Sequence, residues 1–222
     1  DLLEGVGAVA AVQSGGHGPS LIGRADTVRG SGRVGFRLAR WTGRRVAAWR
    51  NGGTMTITEA LVSRNAAYSA EVLARGGLAA KGKQKVAVVA CMDSRVDVFA
   101  ALGLAPGEAN VIRNAGGLVT EDTIRSLSIS QHLLGTEEIL LIHHTGCGML
   151  SFTDDELCST LEAQTGARPT WAPGAFTDLA DSVRQSIARI KASPFIPRTD
   201  AVRGFVLDLA TGRLEEVDAA EA

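Results

Sequence analysis

The stretch Val86-Ala87-Val88-Val89-Ala90-Cys91-Met92-Asp93-Ser94-Arg95 decides how the chain is built. Its first six residues form an unbroken apolar run, too short for a helix and rich in valine. Such a run predicts a strand covered on both faces, because a half-exposed strand would alternate. Two further segments predict strands: Asn110 to Arg113, and Glu138 to His143 around Ile139-Leu140-Leu141-Ile142. Between them, Asp97 to Leu102 predicts a short helix stopped by Gly103. Thr120-Glu121-Asp122 opens a longer one, with acids at the positive end of its dipole, Ile124, Leu127 and Leu134 turned inward, and Gly135 after it. Strands alternating with helices predict an α/β fold with a mostly parallel sheet, and in such sheets ligands gather beyond the carboxyl ends of the strands, near a reversal of strand order.

Outward from this centre the pattern continues on both sides. Thr56-Ile57-Thr58-Glu59 has capping-box spacing and opens a helix carrying Leu61, Tyr68 and Val72, stopped by Gly76-Gly77. Thr153-Asp154-Asp155-Glu156 is a second capping box, whose helix runs to Gly166. Leu179, Val183, Ile187 and Ile190 form the stripe of an amphipathic helix, expected to be capped by Thr177. Phe205, Leu207 and Leu209 alternate with other residues before Thr211-Gly212, and Leu214 to Val217 follows, which predicts a terminal hairpin. No internal repeat is present.

The 222 residues carry a formal net charge of −1, and that balance hides two unlike pieces. Residues 1–54 hold eight Arg, no Lys and three acids, a net of +5, with 12 of the 26 glycines and no sustained apolar periodicity. Residues 55–222 hold fifteen basic residues against twenty-one acids, a net of −6. The expected organisation is a flexible Gly/Arg-rich arm over 1–54 and a folded domain over 55–222. Because the first Met is Met55, where the folding pattern starts at once, the arm is expected to be upstream or vector-derived sequence without a part in the chemistry. Its acid-poor stretch from Arg24 to Arg50 leaves a targeting or nucleic-acid arm as the other reading. The folded domain's acidic balance argues against nucleic acid as a partner, and no apolar run is long enough to span a bilayer. Three cysteines are too few for a disulfide framework, so a reducing, cytoplasmic setting with metal or thiol chemistry is expected.

Chemistry concentrates where two of the predicted strands end. Cys91 closes the first, and His144 and Cys147 follow the third within His143-His144-Thr145-Gly146-Cys147-Gly148-Met149. Two cysteines and a histidine at the carboxyl ends of parallel strands can converge on one point, and thiolate with imidazole suits Zn²⁺ bound by three protein ligands with one position open. Spacing alone leaves Cys91 equally readable as a small buried hydrophobe. Asp93 and Arg95 add chemistry that packing does not need: a bidentate guanidinium can hold a carboxylate that accepts a hydrogen bond at the metal or occupies its open position.

Three motifs in order, Cys91-Met92-Asp93-Ser94-Arg95, Arg113-Asn114-Ala115-Gly116-Gly117 and His143 to Met149, resemble those of the β-class carbonic anhydrases, most closely the short actinobacterial members, over roughly Met55 to Val217. The resemblance implies a zinc lyase that interconverts carbon dioxide and bicarbonate. It assigns one zinc per subunit to Cys91, His144 and Cys147, and an Asp–Arg dyad to Asp93 and Arg95. It implies a four-stranded parallel central sheet flanked by helices, with an added antiparallel strand, assembled as a homodimer or a larger homo-oligomer in which the helix over Thr58 to Leu73 embraces the partner. A site with two thiolates is formally neutral, so hydration is expected to favour alkaline pH.

The remaining candidates carry blander readings. His143 is expected to be structural, since strand alternation turns it away from the face of His144. His132 reads as a surface residue late in a helix, and Cys158 as a buried small residue, with a fourth zinc ligand as its alternative. Gly116 and Gly117 predict a loop with close backbone approach. Two other functions compete: hydrolysis of carbonyl sulfide or carbon disulfide at the same zinc site, which similar sequences perform, and a zinc-binding module without catalysis.

Overall fold

In a computed structural model of the chain, residues 55–77 and 82–218 are described, and the arm expected over 1–54 lies outside them. The chain runs α1 (Ile57–Ala74), β1 (Val86–Cys91), α2 (Val98–Leu102), β2 (Ala109–Asn114), α3 (Glu121–Leu134), β3 (Glu138–His144), α4 (Asp154–Thr165), α5 (Leu179–Ala192), β4 (Val202–Leu207) and β5 (Leu214–Val217). The sheet order is β2-β1-β3-β4-β5, with the first four strands parallel and β5 antiparallel to β4. This is the α/β architecture expected from the sequence.

The apolar runs are continuous because both faces of the sheet are covered. On one face Ala87, Val89, Ile139 and Leu141 meet Ile124 and Leu127 of α3 and Val183, Ile187 and Ile190 of α5. On the other, Val88, Ala90 and Ile142 meet Val96, Val98 and Leu207. Each fully buried Val, Leu or Ile contributes about 1.5–3 kcal/mol, so these two layers dominate stability. Strand β1 sits between β2 and β3, and its register sets Val88 against Val111 on one side and Leu140 on the other. After β1 the chain goes first to one side and then to the other, so the crevice between the ends of β1 and β3 is the switch point of the sheet.

Caps follow the sequence closely. Thr56 and Glu59 close the capping box of α1, and Thr153 and Glu156 that of α4. Gly103, Gly135 and Gly166 end their helices in left-handed conformation, which a residue without Cβ adopts at no steric cost. Two expectations are corrected. Asp178, not Thr177, caps α5: its extended backbone places the carboxylate over the first turn, where it accepts from Asp181 N at 2.9 Å. The alternation through Leu209 overruns the strand, because β4 ends at Leu207 and the chain turns with Gly212 N donating to Asp208 O at 2.7 Å.

Gly204 of β4 lies directly under α5. A Cβ there would stand 2.2 Å from Val183 Cγ1 and 3.0 Å from Ile187 Cδ1. The bare backbone lets the helix settle against the sheet. Gly204→Ala is therefore expected to lower stability by about 2–3 kcal/mol through overpacking, read as a reduced midpoint in urea unfolding of the metal-loaded protein.

Candidate metal centre

The ends of β1 and β3 bring the sequence-predicted ligands together. Cys91 is the last residue of β1 and His144 the last of β3, while Cys147 lies three residues on, beyond a turn in which Gly146 has a φ of 64°. All three are buried, and their ligand atoms lie within 4.8 Å of one another. The two Sγ atoms are 3.9 Å apart. A tetrahedral zinc with Zn–S bonds near 2.3 Å separates two thiolates by about 3.8 Å, so the sulfur spacing fits that ion.

Two further observations fit a cation. His144 Nε2 is buried without a hydrogen-bond partner, whereas Nδ1 is 3.0 Å from Thr145 O. A proton on Nδ1 satisfies that contact and leaves the Nε2 lone pair available for a metal. Burial, together with the neighbouring Cys91, pushes the Cys147 thiol up to about 11. A buried thiol raised in this way stays protonated until a cation compensates its charge.

Asp93 and Arg95 stand beside this group. Arg95 Nε donates to Asp93 Oδ1 at 2.9 Å and Nη2 donates to Oδ2 at 2.6 Å, a bidentate pair. The Arg95 backbone N–H adds a third bond to Oδ1 at 2.9 Å, and Nη2 also donates to Gly146 O at 3.1 Å, tying the loop after β1 to the loop after β3. These side-chain and backbone hydrogen bonds from Arg95 hold the Asp93 carboxyl well below the usual carboxylate range. Asp93 Oδ2 is 3.9 Å from His144 Nε2. A cavity of about 300 Å³ opens at this point, with Cys91, Asp93 and Cys147 on one side and Ala115, Met149 and Phe152 among its apolar walls.

A family model described as carbonic anhydrase matches residues 86–172. A protein of Mycobacterium tuberculosis named Beta-carbonic anhydrase 1 is 50% identical over 163 residues, spanning 73% of this chain and 99% of the relative. The chain belongs to the β-carbonic anhydrase family. The crystal structure of carbonic anhydrase from Streptococcus mutans superposes with a TM-score of 0.68 at 43% identity, over 74% of this chain and 99% of that one. A protein of Saccharolobus solfataricus named Carbon disulfide hydrolase is 35% identical over 153 residues, spanning 58% of this chain and 75% of the relative.

The other sequence candidates fall outside the ligand group. His143 is fully buried and stacks on Phe176 at 5.6 Å between ring centroids. Burial pushes its pKa down to about 4, so the ring is neutral at physiological pH. Cys158 is buried in α4, and His132 is exposed. Gly117, with a φ of 70°, lies so close to β1 that a Cβ would meet Cys91 N at 2.9 Å and the Ala90 carbonyl carbon at 3.0 Å.

Sequence reasoning gave no role to Asn114, which clamps this glycine loop: its Oδ1 accepts from Leu118 N and its Nδ2 donates to Leu118 O, both at 2.8 Å. An Asn immediately before a glycine turn was the available signal. Phe176 was also missed, since nothing local marks a loop phenylalanine as the stacking partner of His143.

Loss of one thiol ligand leaves the remaining donors too few for tight binding. Cys147→Ser is expected to lose most of its zinc, while Cys158→Ser retains a full complement, measured by metal analysis after dialysis. Because the thiols must release protons to bind, a chelator is expected to strip the wild-type metal faster at pH 6 than at pH 8.

Proposed function

We propose that this chain catalyses the reversible hydration of carbon dioxide to bicarbonate and a proton, with one zinc ion held by Cys91, His144 and Cys147. The observation that carries the reading is the Asp93–Arg95 pair set at the edge of a Cys₂His group and facing an apolar cavity. A purely structural zinc site, closed by four ligands, has no use for such a pair. The 50% identity to Beta-carbonic anhydrase 1 supports the same activity. When bound, zinc would act as a Lewis acid that makes water more acidic and so a better nucleophile.

The residues of the chain then divide the work. Arg95 keeps Asp93 ionised and fixes its plane. A carboxylate held so far below its ordinary range is a poor proton acceptor. Asp93 therefore accepts a hydrogen bond from the attacking water and aims its lone pair at the carbon of the gas, rather than removing the proton. The walls formed by Ala115, Met149 and Phe152 receive a small apolar molecule and offer it no competing hydrogen bond. The Thr145 carbonyl holds the His144 ring in one tautomer.

The same donor set serves hydrolysis of carbon disulfide or carbonyl sulfide as a second reading, supported by the 35% identical carbon disulfide hydrolase. We further propose that the catalytic unit is residues 55–222, without a chemical role for 1–54. Its free thiols suit a reducing, cytoplasmic setting. The unit is expected to assemble as a homodimer or tetramer, because α1 has no buried residue and exposes Ile57, Leu61, Val62 and Leu73. Among the described residues no helix is long and apolar enough to cross a membrane.

Asp93→Asn is expected to keep its zinc and lose carbon dioxide hydration by about a hundredfold or more, measured by stopped flow; wild-type rates would remove the orienting role. Turnover of carbon dioxide, carbonyl sulfide and carbon disulfide on one zinc-loaded sample separates the two readings, with carbon dioxide expected to be fastest. Its rate is expected to rise from pH 7 to pH 9, because a formally neutral two-thiolate site makes water less acidic, while Asp93 is ionised throughout that range and adds no pH dependence.

A further inference from the structure

Arg113 is the residue before the end of β2, and its guanidinium reaches across to the exit of β1. Nε donates to Cys91 O at 2.9 Å and Nη2 donates to Asp93 O at 2.6 Å. These two carbonyls flank Met92, the one residue between a metal ligand and the carboxylate beside the metal. Met92 N donates to Asn114 O at 2.8 Å, and Asp93 O also accepts from Val96 N at 3.0 Å. The rigid planar fork of arginine fixes the separation and orientation of the two carbonyls it grips, which a single ammonium cannot do.

Arg95 and Arg113 divide the control of Asp93. Arg95 binds the carboxylate and links it to Gly146. Arg113 binds the backbone from which that carboxylate hangs, at the point where the β1 ladder ends. A carboxylate that acts by aiming a lone pair depends on its backbone as much as on its partner, because the χ angles only rotate the group about a Cα placed by the main chain.

Building on the hydration reading above, we propose that Arg113 is a positioning residue of the reaction: by gripping the carbonyls on either side of Met92 it sets where the Asp93 carboxylate stands relative to Cys91, His144 and Cys147. It touches neither substrate nor metal and acts through Asp93. Removing both donors at Arg113 misplaces the carboxylate while the three ligands, buried and held by β1, β3 and the turn before Cys147, still gather.

The test uses the full chain loaded with zinc for kinetics and with Co(II) for spectroscopy. Arg113→Met removes both donors and keeps an apolar stem; Arg113→Lys keeps the charge but offers only one donor group. Arg113→Met is expected to lower kcat for carbon dioxide by about tenfold or more, with KM, thermal midpoint and metal content near wild type, and Arg113→Lys to recover part of the loss. In an Asp93→Asn background the same substitution is expected to cost nothing further, because the residue through which it acts is already disabled.

The cobalt protein gives a readout independent of turnover. The pH midpoint of its visible spectrum is expected to move with Arg113→Met in the parent and to stay in place in the Asp93→Asn background. The proposal is overturned by wild-type kcat in Arg113→Met, by equal losses in both backgrounds, or by a fall in metal content that accounts for the lost rate. Should Arg113→Met fail to fold, Arg113→Lys carries the same two-background comparison. Should the parent not turn over carbon dioxide, the hydration reading fails, and the cobalt midpoints decide the role of Arg113 on their own.

Discussion

Everything at the metal centre depends on the parallel pairing of β1 with β3. The register that sets Ala90 beside Ile142 fixes where each strand ends, and so the distance between Cys91 and the His144 turn. Neighbouring strands lie close to 4.8 Å apart, a separation well suited to placing one ligand from each around a single small ion. The third member of the group needs no further strand, because the turn through Gly146 brings Cys147 back within the same space. The two covered faces of the sheet keep this geometry rigid, and Gly117 extends that packing to the site by lying against the backbone of Cys91.

Charge is distributed to match. Two thiols, an imidazole and a carboxylate converge at the mouth of an apolar cavity, an arrangement whose ionised form is costly without cations. Arg95 answers the carboxylate, and Cys91, His144 and Cys147 form a group that could hold a divalent cation to answer the thiols. The shifts follow from this division: the group with a guanidinium in contact is held ionised, and the thiol without a cation is pushed up. His143, one residue from His144, sits on the opposite face of β3 and stacks on Phe176, where burial outweighs what favours a charged ring.

Relatives bearing two different activity names match this chain, at 50% and 35% identity. Carbon dioxide and its sulfur analogues are linear and small, so discrimination falls to the cavity walls and to the path that reaches them. Gly116 is central to that wall: a Cβ there would press Met149, Leu118 and Phe176, each at 3.1–3.3 Å.

Strands, most caps and the Cys91, His144 and Cys147 side chains that gather at one point were legible in the sequence because each rests on local physics. An apolar run of Val86 to Cys91 can only be a strand buried on both faces, Thr56 with Glu59 has the spacing of a capping box, and thiolates with imidazole have an affinity for zinc wherever they meet. The dyad was legible too, since Asp93 and Arg95 are two residues apart. What the sequence could not specify is whatever depends on chains distant in sequence lying side by side: the order β2-β1-β3-β4, the grip of Arg113 on the carbonyls of Cys91 and Asp93, the stacking of Phe176 on His143, and the intolerance of Gly204 for a side chain beneath α5. Those contacts are chosen by packing, in which a residue's role is set by its neighbours in space, and only the tertiary structure brings those neighbours together.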